Sequence, residues 1–171
     1  VVRDWILDLT CTVQEIEELD RFPSLQKLSI VWVKHMSDVL DDYIPKSLTE
    51  LTLGDDTFCQ IDTLPPNLKK LHFGNNAVVY HIAPGLLTTL EDVKFGDFFS
   101  GHKQFLENEL PSLVTLEFGA DFFGDLSRLQ CPNLKSLKLC SRFSGVIPDH
   151  FKDKLEFVLQ KPIQFTPHDL D

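Results

Sequence analysis

"LKKLHFG" (Leu68 to Gly74) places apolar residues at its first, fourth and sixth positions and closes on glycine. This is neither the strict alternation of a half-buried strand nor the stripe of a helix. The same pattern recurs as "LTELTLG" (Leu48 to Gly54), "LEDVKFG" (Leu90 to Gly96) and "LVTLEFG" (Leu113 to Gly119). "LQKLSI" (Leu25 to Ile30) and "LKSLKL" (Leu134 to Leu139) repeat it without the glycine. Weaker copies stand at the ends, at Val2, Trp5 and Leu7 and at Leu155 and Val158. The copies start at 2, 25, 48, 68, 90, 113, 134 and 155, so the steps run from 20 to 23 residues.

Self-similarity at this period is the signature of a leucine-rich-repeat solenoid, whose units run about 20–29 residues. The fold class expected is an α/β repeat, strand-rich, with a parallel concave sheet and a mostly irregular or short-helical convex side. In Leu-x-x-Leu-x-Leu the middle is a short strand whose alternate residues point in and out. Leu51 and Leu53, then Leu71 and Phe73, point inward; Thr52 and His72 point outward. One repeat cannot bury such a face alone, but stacked neighbours can. Glycines 54, 74, 96 and 119 mark a bend where a Cβ would crowd the neighbouring coil.

A second apolar line, Phe58, Val78, Phe99, Phe123 and Phe143, is expected to close each coil as a buried spine. Pro23, Pro45, Pro65, Pro84, Pro111 and Pro132 precede the strands and predict extended lead-ins. Only residues 13–22 and 37–44 read as helical. The 171 residues form one domain of about eight coils, with cap-like coils at 1–20 and 155–171. The chain opens on Val1 without Met or a signal-peptide pattern and is expected to be part of a longer protein.

The unit from Ile44 to Gly74, "IPKSLTELTLGDDTFCQI" followed by "DTLPPNLKKLHFG", resembles the FNIP-type leucine-rich repeat. Pro45, Ser47, Leu48, Leu51, Leu53, Gly54, Phe58, Gln60 and Ile61 occupy the places of that family's grammar, and Leu64 and Pro65 begin the next unit. Cys59 departs from it, standing where Asn belongs. The likeness spans residues 20–155 and fades toward the ends. It implies a solenoid that binds proteins. In such families the repeats often follow an F-box or another adaptor domain, so a substrate-recognition part of a ubiquitin-ligase adaptor is one alternative function. A secreted or cell-surface recognition domain is another.

No catalytic grammar is present: there is no G-x-S-x-G, P-loop, H-E-x-x-H or EF-hand loop. The six histidines are scattered. A non-catalytic module with no cofactor is therefore expected. Asp55, Asp56, Asp97 and Asp121 lie at uneven offsets, which argues against a Ca²⁺ loop. A net charge of −10 argues against nucleic acid, whose phosphates need clustered Lys and Arg. No apolar run has a membrane-spanning length. Cys11, Cys59, Cys131 and Cys140 form no C-x-x-C. They are expected to be buried thiols in an intracellular, cytoplasmic setting; a disulfide cap of a secreted solenoid is the alternative.

A protein partner must then be read from the surface. The third motif position gives Asp4, Lys27, Glu50, Lys70, Asp92, Thr115 and Ser136. The fifth gives Ser29, Thr52, His72, Lys94, Glu117 and Lys138. Strands about 4.8 Å apart would set these opposed charges side by side as a ladder. Lys70, His72, Asp92, Lys94 and Glu117 are thus candidate contact residues on the concave face. Residues 1–65 carry 13 acids and 5 bases. The second return segment sets Asp38, Asp41 and Asp42 beside Trp32, His35 and Met36, a combination suited to anchoring a basic partner.

Overall fold

A computed structural model describes residues 6–31 and 43–158. Eight short strands recur along the chain: β1 (Asp8–Thr12), β2 (Lys27–Val31), β3 (Glu50–Leu53), β5 (Lys70–Phe73), β7 (Asp92–Lys94), β8 (Thr115–Glu117), β9 (Ser136–Cys140) and β10 (Leu155–Val158). They form one parallel sheet in the order β1-β2-β3-β5-β7-β8-β9-β10, with β1 and β10 as its outer strands among the described residues. Between its third and fifth members, β4 (Phe58–Ile61) and β6 (Val78–Ile82) pair in a second, two-stranded parallel sheet. Helix is scarce among the described residues. There are 3₁₀ segments at Val13–Arg21, Leu86–Thr89, Leu126–Arg128 and Asp149–Lys154, and one α-helix, α1 (His102–Leu106).

The in/out assignment holds through the central repeats. Leu51 pairs with Leu71 and Leu53 with Phe73, and all four are buried. The first leucine of each motif is tucked in by a turn. Leu48 donates its N–H to the Pro45 carbonyl at 3.2 Å, and Leu68 does the same to Pro65 at 3.0 Å. The residue before that leucine ties its repeat to the previous one. Ser47 Oγ donates to the Leu25 carbonyl at 2.6 Å, and Thr89 Oγ1 to the Leu68 carbonyl at 2.8 Å. Each leucine so buried contributes about 1.5–3 kcal/mol.

At Gly74, Gly96 and Gly119 glycine is a steric requirement. A Cβ on Gly96 would strike the Gly74 carbonyl and lie 2.6 Å from Asn75 N; one on Gly119 would strike the Gly96 carbonyl. The left-handed part of the bend falls two residues later, on Asp56 (φ 57°) and Asn76 (φ 54°), types that tolerate it.

Several expectations need correction. β1 pairs Leu9 with Leu28 and Cys11 with Ile30, so the first repeat reads Ile6, Leu9, Cys11. Leu7, assigned inward from the sequence, is 49% exposed. Asp8, not Asp4, stands opposite Lys27, and Asp4 lies outside the described residues. At the other end Leu155 pairs with Leu137, which gives it the fourth motif position, that of the second apolar residue, rather than the first. Phe151, fully buried in the 3₁₀ turn before the strand, supplies the apolar contact ahead of it.

The spine is also shifted. The buried positions fall nine residues after each repeat start, at Thr57, Ala77, Phe99 and Phe122, with Phe143 packed against them. Phe58 and Phe123, one residue further on, point to solvent. Residues 13–21 are a 3₁₀ segment, and the second expected helix falls outside the described residues as far as Asp42. After Pro84 the chain turns through Gly85 (φ 81°) into 3₁₀ rather than running extended.

Candidate functional site

The eight-stranded sheet buries one face and leaves the other open, and two rows of side chains run across that open face. In register, the first row is Asp8, Lys27, Glu50, Lys70, Asp92, Thr115 and Ser136. The second is Thr10, Ser29, Thr52, His72, Lys94, Glu117, Lys138 and Glu156. Lys70, His72, Asp92, Lys94 and Glu117 therefore meet on adjacent strands, as the motif positions predict.

The rows are laced by ion pairs. Glu50 Oε1 lies 3.3 Å from Lys27 Nζ and 3.2 Å from Lys70 Nζ. Lys94 Nζ is 2.9 Å from Glu117 Oε1, and Lys138 Nζ is 3.8 Å from Glu156 Oε2. His72 Nε2 is 3.4 Å from Asp92 Oδ1. On the second motif position Lys69 Nζ donates to Glu91 Oε1 at 2.8 Å. Partial burial alone would raise the Glu50 carboxyl, but hydrogen bonds from Lys70 and Lys27 outweigh it and hold it below the usual carboxylate range. These groups are partly to largely exposed, from 28% at Glu117 to 62% at Glu156, so each pair adds only some 0.2–1 kcal/mol. The result is a mixed-charge surface.

The rim acids have a structural use. Asp55 Oδ1 accepts the Asn75 N–H at 2.7 Å, Asn75 Oδ1 the Asp97 N–H at 2.8 Å, and Asp97 Oδ1 the Ala120 N–H at 3.2 Å. Each repeat thus caps the turn of the next. Among the described residues no group of three or more His, Cys, Asp or Glu is placed to hold a metal ion. No helix among them is long and apolar enough to cross a membrane. All four cysteines are buried free thiols, and burial pushes Cys59 up to about 12 and Cys131 up to about 11. Cys59 is an inward residue of β4, which accounts for an apolar-compatible side chain where Asn belongs.

Trp32, His35, Met36, Asp38, Asp41 and Asp42 lie outside the described residues. Three features escaped the sequence reading. One is the turn-capping ladder, for which the short polar residue after Gly54, Gly74 and Gly96 was the available signal. The second is an exposed ring pair, Phe58 and Tyr80, with centroids 5.0 Å apart. The third is His102, set among Phe95, Phe99, Phe118 and Phe122 at centroid distances of 4.8–5.6 Å. Burial lowers its pKa to about 4.

With this geometry in view, comparison with known families places an FNIP Repeat over residues 40–76. That stretch contains the Pro45 turn, β3, the Asp55 cap, β4 and β5. Residues 40–76 are thus similar to an FNIP repeat, within a strand-rich parallel fold. No curated protein and no solved structure matched the chain.

Proposed function

We propose that the chain is a leucine-rich-repeat solenoid acting as a non-catalytic protein-interaction module, with the open, concave face of its eight-stranded sheet as the recognition surface. The observation that carries this reading is the register. It sets one polar side chain from each successive repeat into two straight rows, so a partner would meet a fixed pattern of alternating charge. Such a pattern selects by complementarity and rejects by like-charge contact. The FNIP match supports a repeat module, and repeat folds present extended binding surfaces of this kind. The partner is a protein, with basic segments favoured by the acidic excess of residues 1–65. Four buried free thiols support an intracellular, cytoplasmic setting.

The test is affinity capture from cells with the wild-type chain and with Lys94→Glu, which turns the Lys94–Glu117 pair repulsive. A partner held by wild type and lost by a variant that melts within a few degrees of it supports the reading. A captured partner indifferent to Lys94→Glu and to Lys70→Glu would remove the recognition surface from the sheet. Nothing enriched over the heat-denatured chain would argue against an interaction module.

A further inference from the structure

The second sheet carries an irregularity that the repeat grammar does not demand. Cys59 pairs with Val79, but the next partners are Gln60 and His81, so Tyr80 is an extra residue on β6. Bulges of this kind re-aim side chains. Here two consecutive residues, Tyr80 and His81, both face solvent between the buried Val79 and Ile82. The Tyr80 ring lies against Phe58, and both remain exposed, at 40% and 43%. The Tyr80 carbonyl accepts Gln104 Nε2 from α1 at 3.2 Å, which fixes the bulge from behind.

Along β4 the outward line runs Phe58, Gln60 and then Asp62 just past the strand end. Gln60 Nε2 donates to Asp62 Oδ2 at 2.7 Å, so the carboxylate is held in place. Its other oxygen lies 3.6 Å from His81 Nε2. Asp62 thus lies beside His81, the residue that directly follows Tyr80 on β6. The turn leading into β4 adds exposed Asp55 and Asp56. Lys103 on the neighbouring α1 is engaged by Glu107 at 3.8 Å.

We propose that the Phe58–Tyr80 ring pair and Asp62 form a docking site for an arginine-bearing basic segment of a partner protein. A guanidinium can lie flat on an aromatic face and direct its N–H fork at a nearby carboxylate, which an ammonium cannot do. The surrounding acidic charge favours such a segment over a neutral or acidic one. The inference rests on reading the chain as an interaction module, but it assigns a site on the second sheet, away from the charge rows of the first.

The experiment is an NMR titration of the ¹⁵N-labelled chain with the peptide acetyl-Gly-Arg-Gly-Arg-Gly-amide and with its lysine twin. Shifts concentrated at residues 58–62 and 78–82 are expected. The arginine peptide should bind about threefold or more tighter than the lysine one. Tyr80→Ala and Asp62→Asn should each weaken it by a similar factor, while Tyr80→Phe retains it. Should Tyr80→Ala unfold the chain, Asp62→Asn decides. Absence of shifts, shifts spread over all acidic surfaces, or equal binding of the two peptides would overturn the proposal. Peptide failure alongside charge-dependent capture on the first sheet would overturn this site alone.

Discussion

Asn75 donates its backbone N–H to Asp55 Oδ1 at 2.7 Å, joining two turns separated by twenty residues of chain. The contact recurs from Asn75 to Asp97 and from Asp97 to Ala120, where the capping side chain ends. Asp55→Ala should leave the Asn75 N–H without its acceptor and lower stability by about 1 kcal/mol. Asp55→Asn keeps an acceptor oxygen at the same place and should lower it by less than half as much. Urea midpoints of the two variants make the comparison; equal losses would mean that charge matters here and not the cap.

Inward and outward neighbours on one strand should differ sharply. Leu71 is fully buried, and Leu71→Ala should destabilise by about 2–5 kcal/mol through lost burial and a cavity. Lys70, one residue away, reaches only the half-exposed Glu50 at 3.2 Å. Lys70→Ala should cost under about 1 kcal/mol. A denaturant titration giving similar losses would contradict the register of β5.

Two glycines are constrained for different reasons, and alanine separates them. Gly119 has ordinary backbone dihedrals, but its Cβ would collide with the Gly96 carbonyl and lie 2.6 Å from the Asp97 Cα. Backbone cannot step aside as a side-chain tip can, so Gly119→Ala should cost about 2 kcal/mol or more. Gly85 has open space around it but a φ of 81°, so Gly85→Ala should cost about 1 kcal/mol through strain alone. Thermal melts should rank Gly119→Ala as the more damaging change; the reverse order would contradict the stacked glycine column.

The central repeats were legible because three apolar positions and a glycine recur together, and each has one physical job. The ends were not. Val2, Trp5 and Leu7 match the motif as well as Ile6, Leu9 and Cys11 do, and a buried cysteine is easily passed over as an apolar residue. Only pairing to β2 selects the second set. Adjacent aromatics posed the same problem, since Phe122 and Phe123 both fit a spine read loosely. A strict nine-residue offset picks Phe122 and leaves Phe123 56% exposed. The charge rows followed directly from alternation along each strand. The Tyr80 bulge had no local signal, because it arises from the pairing of β6 with β4.

His102 should make the chain acid-sensitive well above the carboxylate range. Its Nε2 is buried with no hydrogen-bond partner, and its ring packs between Phe99 and Phe122 at 4.9 and 4.8 Å. A charged imidazolium is poorly solvated there, so the pKa falls from 6.5 to about 4. The unfolded chain therefore binds a proton between those values that the folded chain does not. Stability from this group is full above pH 6.5 and is lost as pH falls toward 4. Between pH 7.5 and 5.0 the loss should be about 2 kcal/mol. Glu15 and Glu50 are held below 4.5 in the folded state, so their contribution disappears mainly below pH 5. His102→Phe completes the aromatic cluster without a titrating group and should flatten the upper window. Urea midpoints at pH 7.5, 6.0 and 5.0 for parent and variant would show it. A parent midpoint that does not fall between pH 7.5 and 5.0 would mean the ring is solvated and freely protonated in the fold.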